Sequence, residues 1–267
     1  MKNLVDEIEK VSAETGSVAL WWLGQAGFAF KTSAGEVVYL DPYLSDMVES
    51  VAGFKRLSLS PVDFNDVAAN WVICSHEHPD HLDSDALSAI AANNPKCRFA
   101  GSVDCGPEFD RCAISKDRQL IMEPGCSYNI AGITVHAARA DHGELSPSAL
   151  SLLFDFRGVK VMFSGDTSFN PEYLRPLLEM EPDLLLPCIN GSFGNMNGLD
   201  AARLTAIARP KFVIPCHFWM FKEHHVEPGG DPYAFCEACE KLCPDVQIRL
   251  LTPGEGIVVS PNFIRPI

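Results

Sequence analysis

The sequence predicts an α+β fold, with sheets covered by helices, on three observations. Short apolar runs recur along the 267 residues, and loops rich in glycine, proline and polar residues separate them. Helical segments are inserted between pairs of these runs rather than after each one, which departs from a simple βαβ repeat. No low-complexity segment, Ser/Gly linker or short repeat divides the chain, so residues 1–267 are expected to form one domain.

Each element has a local reason. MKNLVDEIEKVSAETG is charged and reads as a short amphipathic helix. SVALWWLG and GFAFKT read as paired strands around a glycine-containing turn, and GEVVYLDPY as a third. Trp21 and Trp22 begin the first strand and are expected in the core. NDVAANWVICSH ends a buried strand at Ser75, and DSDALSAIAANN reads as a helix capped near Asp83 or Ser84. GITVHAARADHG, SALSLLFDFRG, VKVMFSGDTS, PDLLLPCING, RPKFVIPCHF and QIRLLTPGEGIVV add strands, and GLDAARLTAIAR adds a helix.

Composition removes several function classes. There are 21 Lys and Arg against 35 Asp and Glu, for a formal charge of −14. General affinity for nucleic acid or anionic membrane needs a basic face, so neither partner is expected. No run reaches the ~18–20 apolar residues of a membrane span, and the first residues lack a signal-peptide core. A cytoplasmic protein is the simplest reading, and a homo-oligomer is compatible with it. Of ten cysteines, Cys236, Cys239 and Cys243 share one helical face. They read as a reduced stripe packed on the core, because a zinc or iron–sulfur site needs a fourth ligand.

The metal-capable residues gather at strand ends. His76, His78, Asp80 and His81 follow WVICS, and His142 follows ITVHA through a short loop. Asp166 directly follows VKVMFSG, and His217 directly follows KFVIPC. Buried strands fix the backbone there, and the loops beyond are free to carry chemistry. In an extended loop His76 and His78 point to one side and can share an ion. Pro79 stiffens the path to Asp80 and His81, which are aimed differently and suit a neighbouring ion. Five histidines and two aspartates fit Zn or Mn, and also Fe, without choosing among them.

These residues carry a resemblance. HEHPDH at 76–81 is similar to the HxHxDH motif of the metallo-β-lactamase superfamily, and Asp41, His142, SGDT with Asp166, and His217 resemble its other motifs in order. WWLGQAG, VAGFKRLSLSP, NGSFGNMNGLDAARL and VIPCHFWMF look most like its L-ascorbate-6-phosphate lactonase group. The resemblance implies a four-layer αββα sandwich with two divalent ions in a groove at one sheet edge. It implies His76, His78 and His142 on one ion, Asp80, His81 and His217 on the other, and Asp166 between them. Asp41 would support the ligand loop. A metal-bridging hydroxide would attack an acyl or phosphoryl centre, with Asp80 also moving its proton. Iron oxygen reductases of this fold resemble HxExDH instead, and here position 78 is histidine, which favours hydrolysis.

The substrate is expected to be a small anionic metabolite, such as a lactone of a phosphorylated sugar acid. A phosphodiesterase of the same fold and a metal-binding protein without turnover are the alternatives. Lys55 and Arg56 are candidate contacts for the anion, and Trp219 for the pocket wall. Arg139 and Lys222 read as structural or exposed, His224–His225 as a polar loop, and His136 as a hydrogen-bonded histidine in the core or behind the ligands.

Overall fold

The computed structural model describes residues 4–225 and 229–267; the side chains of His224 and His225 lie outside that description. The chain enters through helix α1 (Leu4–Lys10) and builds most of one sheet from β1 (Val18–Gly24), β2 (Gly27–Lys31), β3 (Val37–Leu40), β4 (Trp71–Cys74), β5 (Arg98–Gly101) and β6 (Gln119–Ile121). Helices α2 (Met47–Ala52), α3 (Ser84–Asn93) and α4 (Cys105–Arg111) interrupt it. A second sheet follows in β7 (Ser127–Ile130), β8 (Ile133–Arg139), β9 (Leu150–Asp155), β10 (Lys160–Phe163), β11 (Leu184–Leu186), β12 (Phe212–Val213) and β13 (Gln247–Ile248). Helices α5 (Pro171–Leu178), α6 (Gly198–Ala208) and α7 (Pro232–Leu242) belong to this half, and β14 (Gly256–Val259) and β15 (Ile264–Pro266) return to the first sheet.

The spatial order is β15-β14-β1-β2-β3-β4-β5-β6 in the first sheet and β13-β12-β11-β10-β9-β8-β7 in the second. Alternation along β1 explains the layering. Leu20 and Trp22 join Phe28, Phe30, Leu40 and Ile73 against Leu152, Phe154 and Phe163 of the facing sheet. Ala19, Trp21 and Leu23 face the other way and pack with Val5 and Ile8 of α1, Leu87 and Ile90 of α3, and Phe109 of α4. Leu174 and Leu177 of α5, Leu204 of α6 and Phe235 of α7 extend the core beyond the second sheet. The result is the αββα sandwich. Cys239 and Cys243 are buried in that core as the cysteine stripe requires.

Several elements differ from the sequence reading. The RPKFVIPC run yields only Phe212–Val213, because Pro215 has no N–H to continue a ladder. QIRLLTPGEGIVV is split between the two sheets, turning through Gly254 at φ +89°. Helix α3 is capped by Asp83, whose Oδ1 accepts from the Ala86 N–H at 3.1 Å. The Asp83 carboxylate also accepts from the N–H of Leu44 and Ser45, which ties the loop after β3 to the helix. Among the described residues no helix is long and apolar enough to cross a membrane.

Candidate metal centre

All seven residues singled out at the strand ends converge. Ligand-capable atoms of His76, His78 and His142 lie within 4.8 Å of one another, as do those of Asp80, His81 and His217, and those of His76, His81 and Asp166. The two sheets meet at this edge: His76–His81 follow β4 of one sheet, while His142, Asp166 and His217 lie beyond β8, β10 and β12 of the other. Gly165 makes the entry to Asp166 possible. Its φ is +62°, and an added Cβ would lie 2.6 Å from the Leu150 carbonyl oxygen, which is backbone and cannot step aside. Gly165→Ala is expected to destabilise the fold by about 1–3 kcal/mol, read as a lowered Tm.

Hydrogen bonds define which imidazole nitrogens carry lone pairs. Asp41, fully buried at φ +43°, accepts from the Ser75 N–H at 2.6 Å, the Ser75 hydroxyl at 2.6 Å and His81 Nδ1 at 2.7 Å. With the Ser75 proton committed to Asp41, Ser75 Oγ accepts from His76 Nδ1 at 3.0 Å. In neutral His76 the Nε2 is therefore bare, and His81 turns its Nε2 toward Asp166 at 3.3 Å. His76 Nε2 is buried with no hydrogen-bond partner. His78 Nε2 donates to the Leu145 carbonyl at 3.2 Å, leaving Nδ1 bare and 3.3 Å from His142 Nε2. A buried ring nitrogen with no donor, as at His76 Nε2, beside converging imidazoles and carboxylates fits a divalent transition ion.

Carboxylates hold the centre of the cluster. Asp166 Oδ1 is 3.3 Å from both His81 Nε2 and His217 Nε2, and its Oδ2 accepts from Asn195 Nδ2 at 2.6 Å. Asp80 Oδ2 lies 3.3 Å from His217 Nε2 and accepts from Gln25 Nε2 at 2.8 Å. Burial opposes charging at His81 and His217, but Asp166 and Asp80 outweigh it and hold both imidazoles up, His217 to about 10. Burial and the neighbouring His81 push His76 well down, and burial lowers His142 against the pull of Asp166. Burial would raise Asp166, but His217 and His81 hold it well below the carboxylate range.

This charge pattern has a sign. Below its raised pKa the imidazole of His217 binds a proton that an incoming cation must displace, so metal affinity is expected to rise with pH up to about 10. Calorimetric titration of chelator-treated protein in buffers of different ionisation enthalpy would show release of at least one proton per chain. Affinity independent of pH would contradict the assignment.

The structure adds residues that motif spacing did not single out. Gln25, at φ +50° in the turn between β1 and β2, is fully buried and reaches Asp80. Its backbone carbonyl also accepts from the His217 N–H at 2.8 Å. Asp141 accepts from Ser168 Oγ and Asn170 Nδ2, tying the His142 loop to the Asp166 loop. Ser75 and Asn195 complete the support. Gln25 and Asn195 lie in WWLGQAG and NGSFGNMNG, stretches legible only as resemblances.

The residues read as substrate contacts do not line the cavity over the cluster. A cavity of about 330 Å³ opens over His78, Asp80, His142, Asp166 and His217, walled mainly by apolar side chains. Lys55 is exposed and Arg56 does not line it. The Arg56 guanidinium donates through Nε to the Ser58 carbonyl and through Nη1 to the Ser45 carbonyl, and lies 4.8 Å over the Tyr43 ring. It is held as a loop strut. Trp219 lines a separate cavity of about 310 Å³ with Trp22, Phe218 and Tyr233. Arg139 stacks over Tyr173, Lys222 is exposed, and half-buried His136 bonds Ser127 at 2.7 Å, away from the core and the cluster. The polar-loop reading of His224–His225 falls on side chains outside the described ones.

Comparison with known proteins agrees with the geometry. The family profile described as Beta-lactamase superfamily domain matches residues 19–217. The probable L-ascorbate-6-phosphate lactonase UlaG of Escherichia coli O127:H6 is 24% identical over 84% of this chain and 76% of its own. The isothiocyanate hydrolase from Delia radicum gut bacteria superposes with a TM-score of 0.73 at 18% identity, covering 91% of this chain and 99% of that one. CmlA, a diiron β-hydroxylase from Streptomyces venezuelae, superposes at 0.67 and 15% identity over 92% and 54% of the two chains. Proteins named for hydrolysis and for hydroxylation thus share this frame, and the fold alone does not choose between them.

Proposed function

The chain belongs to the beta-lactamase superfamily, and from that membership we propose that it is a dinuclear metal-dependent hydrolase that opens a small lactone. The observation that carries the reading is the set of bare imidazole nitrogens and buried carboxylates forming the floor of an apolar cavity. Kinship with a protein named as a lactonase supports the ring-opening form. When bound, two divalent ions, zinc or manganese by the donor set and iron as a third fit, supply Lewis acidity and a water acidified to near neutrality.

The chain's own groups do the rest. His76, His78 and His142 form one ligand set and Asp80, His81 and His217 the other, with Asp166 shared. Asp41 and Ser75 keep His76 and His81 in the tautomers that offer Nε2 to the centre. Asp80 is the group placed to move a proton, since its Oδ2 meets Gln25 and His217 and its side chain stays 17% exposed at the cavity. In lactone hydrolysis, water oxygen bonds to the acyl carbon, the acyl–oxygen ring bond breaks, and the ring oxygen takes up the proton that water loses. Asp80 would accept that proton and return it to the ring oxygen. The apolar wall limits water around the reacting bond. Action on a diffusible small molecule in the cytoplasm, with neither nucleic acid nor membrane as partner, belongs to the same reading.

A phosphodiesterase would want cationic groups for the phosphoryl oxygens, and among the described residues no Lys or Arg lines the cavity. A metal-binding protein without turnover would not need an open cavity at the cluster. Metal analysis after zinc or manganese reconstitution should give two tight ions per chain, with lactone hydrolysis following metal content. Fewer than two would end the dinuclear mechanism. Asp80→Ala should remove turnover while leaving the circular dichroism spectrum unchanged; full activity in that variant would refute its role.

A further inference from the structure

Among the described residues the cavity over the cluster is apolar where an anionic substrate would need a Lys or Arg. Val48 and Ala52 of α2, Phe54, Leu145, Phe193 and Phe221 form its wall. Phe54 lies 6.4 Å from Phe193 and 6.2 Å from Phe221, centroid to centroid, so three rings make one continuous surface. Leu145 and Phe193 stay 53% and 55% exposed at its rim. Among the described residues one uncharged polar group interrupts this wall. Asn190 lines the cavity, is only 1% exposed, and its Oδ1 has no hydrogen-bond partner. A buried amide without a partner is costly, and a ligand hydrogen bond at this position would satisfy it.

Resting on the hydrolase reading above, we propose that the substrate is an uncharged lactone with an apolar alkyl or aryl substituent, seated on the Phe54–Phe193–Phe221 wall and selected by a hydrogen bond to the Asn190 amide. A charged phosphate placed on that wall would lose water without gaining a Lys or Arg partner among the described residues, which is strongly unfavourable. The volume of about 330 Å³ lies at the small end of ligand pockets, so the substituent is short. Asn190 is then a specificity residue rather than part of the chemistry.

The test uses the full chain reconstituted with zinc or manganese. Two γ-lactones of matched size are compared, one with a phenyl or alkyl substituent and one with a phosphorylated substituent, together with their non-hydrolysable tetrahydrofuran analogues measured by calorimetry. The neutral lactone should be favoured by about 100-fold or more in kcat/KM, and its analogue should bind more tightly than the charged one. Leu145→Lys, on the exposed rim, should narrow that preference by about tenfold, since one cation restores a partner for the phosphate. Equal or better use of the phosphorylated lactone overturns the inference, and loss of that use in Arg56→Gln would assign the guanidinium to the substrate instead. If neither lactone is hydrolysed, binding decides: preference for the apolar analogue keeps this substrate class while the hydrolytic reading fails. Binding of neither analogue, or preference for the charged one, overturns it.

Discussion

Asp166→Ala is expected to lower turnover by about 10³-fold or more, because several kcal/mol of charge stabilisation at the centre depend on this carboxylate. Asp166 Oδ1 is the one oxygen within 3.3 Å of both His81 Nε2 and His217 Nε2, and its Oδ2 lies 4.0 Å from His142 Nε2. Its loss therefore weakens both ligand sets together, and tight metal stoichiometry should fall below two. A second readout does not involve activity. Asp166 is the leading group that raises His217 to about 10 against the effect of burial. Without it burial gains weight, so the His217 imidazole should titrate at lower pH in chelator-treated Asp166→Ala protein, as NMR would record. Two tight ions and an unmoved His217 titration would show that the carboxylate is not shared.

Asp41→Asn is expected to cost about 10–100-fold in metal affinity, the usual effect of removing a group that orients ligands. Asparagine tolerates the left-handed backbone at φ +43° and nearly matches the volume, so the change isolates hydrogen bonding. Asp41 receives three donors, from Ser75 N–H, Ser75 Oγ and His81 Nδ1. An amide offers one acceptor oxygen and turns two further N–H groups toward those donors. Ser75 Oγ is then free to reverse, and the tautomers of His76 and His81 are no longer fixed. Leaving such bonds unmade in a buried site also costs about 1–3 kcal/mol of stability. A competition titration against a chelator measures the first effect and denaturant unfolding of metal-free protein the second. Wild-type affinity in Asp41→Asn would show that the tautomers are set by something else.

The metal-capable residues were legible because each stands at or shortly beyond the end of an apolar run, and strand ends can be read locally. Paired strands, the cap at Asp83 and the cysteine stripe were legible for the same reason, as period and capping chemistry are local properties. Boundaries were less so: Pro215 cuts a strand that composition alone extends, and Gly254 sends one apolar stretch into two sheets. Gln25 and Asn195 show the deeper limit. Gln25 lies 55 positions from Asp80 and Asn195 lies 29 from Asp166, and no spacing rule connects a turn amide to a carboxylate that far away.

Arg56 and Asn190 mark the division between the two kinds of information. A basic pair on a loop near the ligands reads as an anion contact, yet the folded loop ties Arg56 to the Ser45 and Ser58 carbonyls. Asn190, which opens the NGSFGNMNG stretch but offers no local cue to a role, is the uncharged polar group that the cavity buries without a partner for Oδ1. By itself the sequence determined sheets covered by helices, seven metal-capable residues at strand ends and donor chemistry that fits a divalent ion, because these depend on residue type and local pattern, while the αββα sandwich and the grouping of the ligands were implied by the family resemblance. Only the tertiary structure decided the tautomers, the support from Gln25 and Asn195, and the polarity of the cavity wall. Those depend on which side chains face one another across two sheets, a long-range property that no single strand or loop encodes.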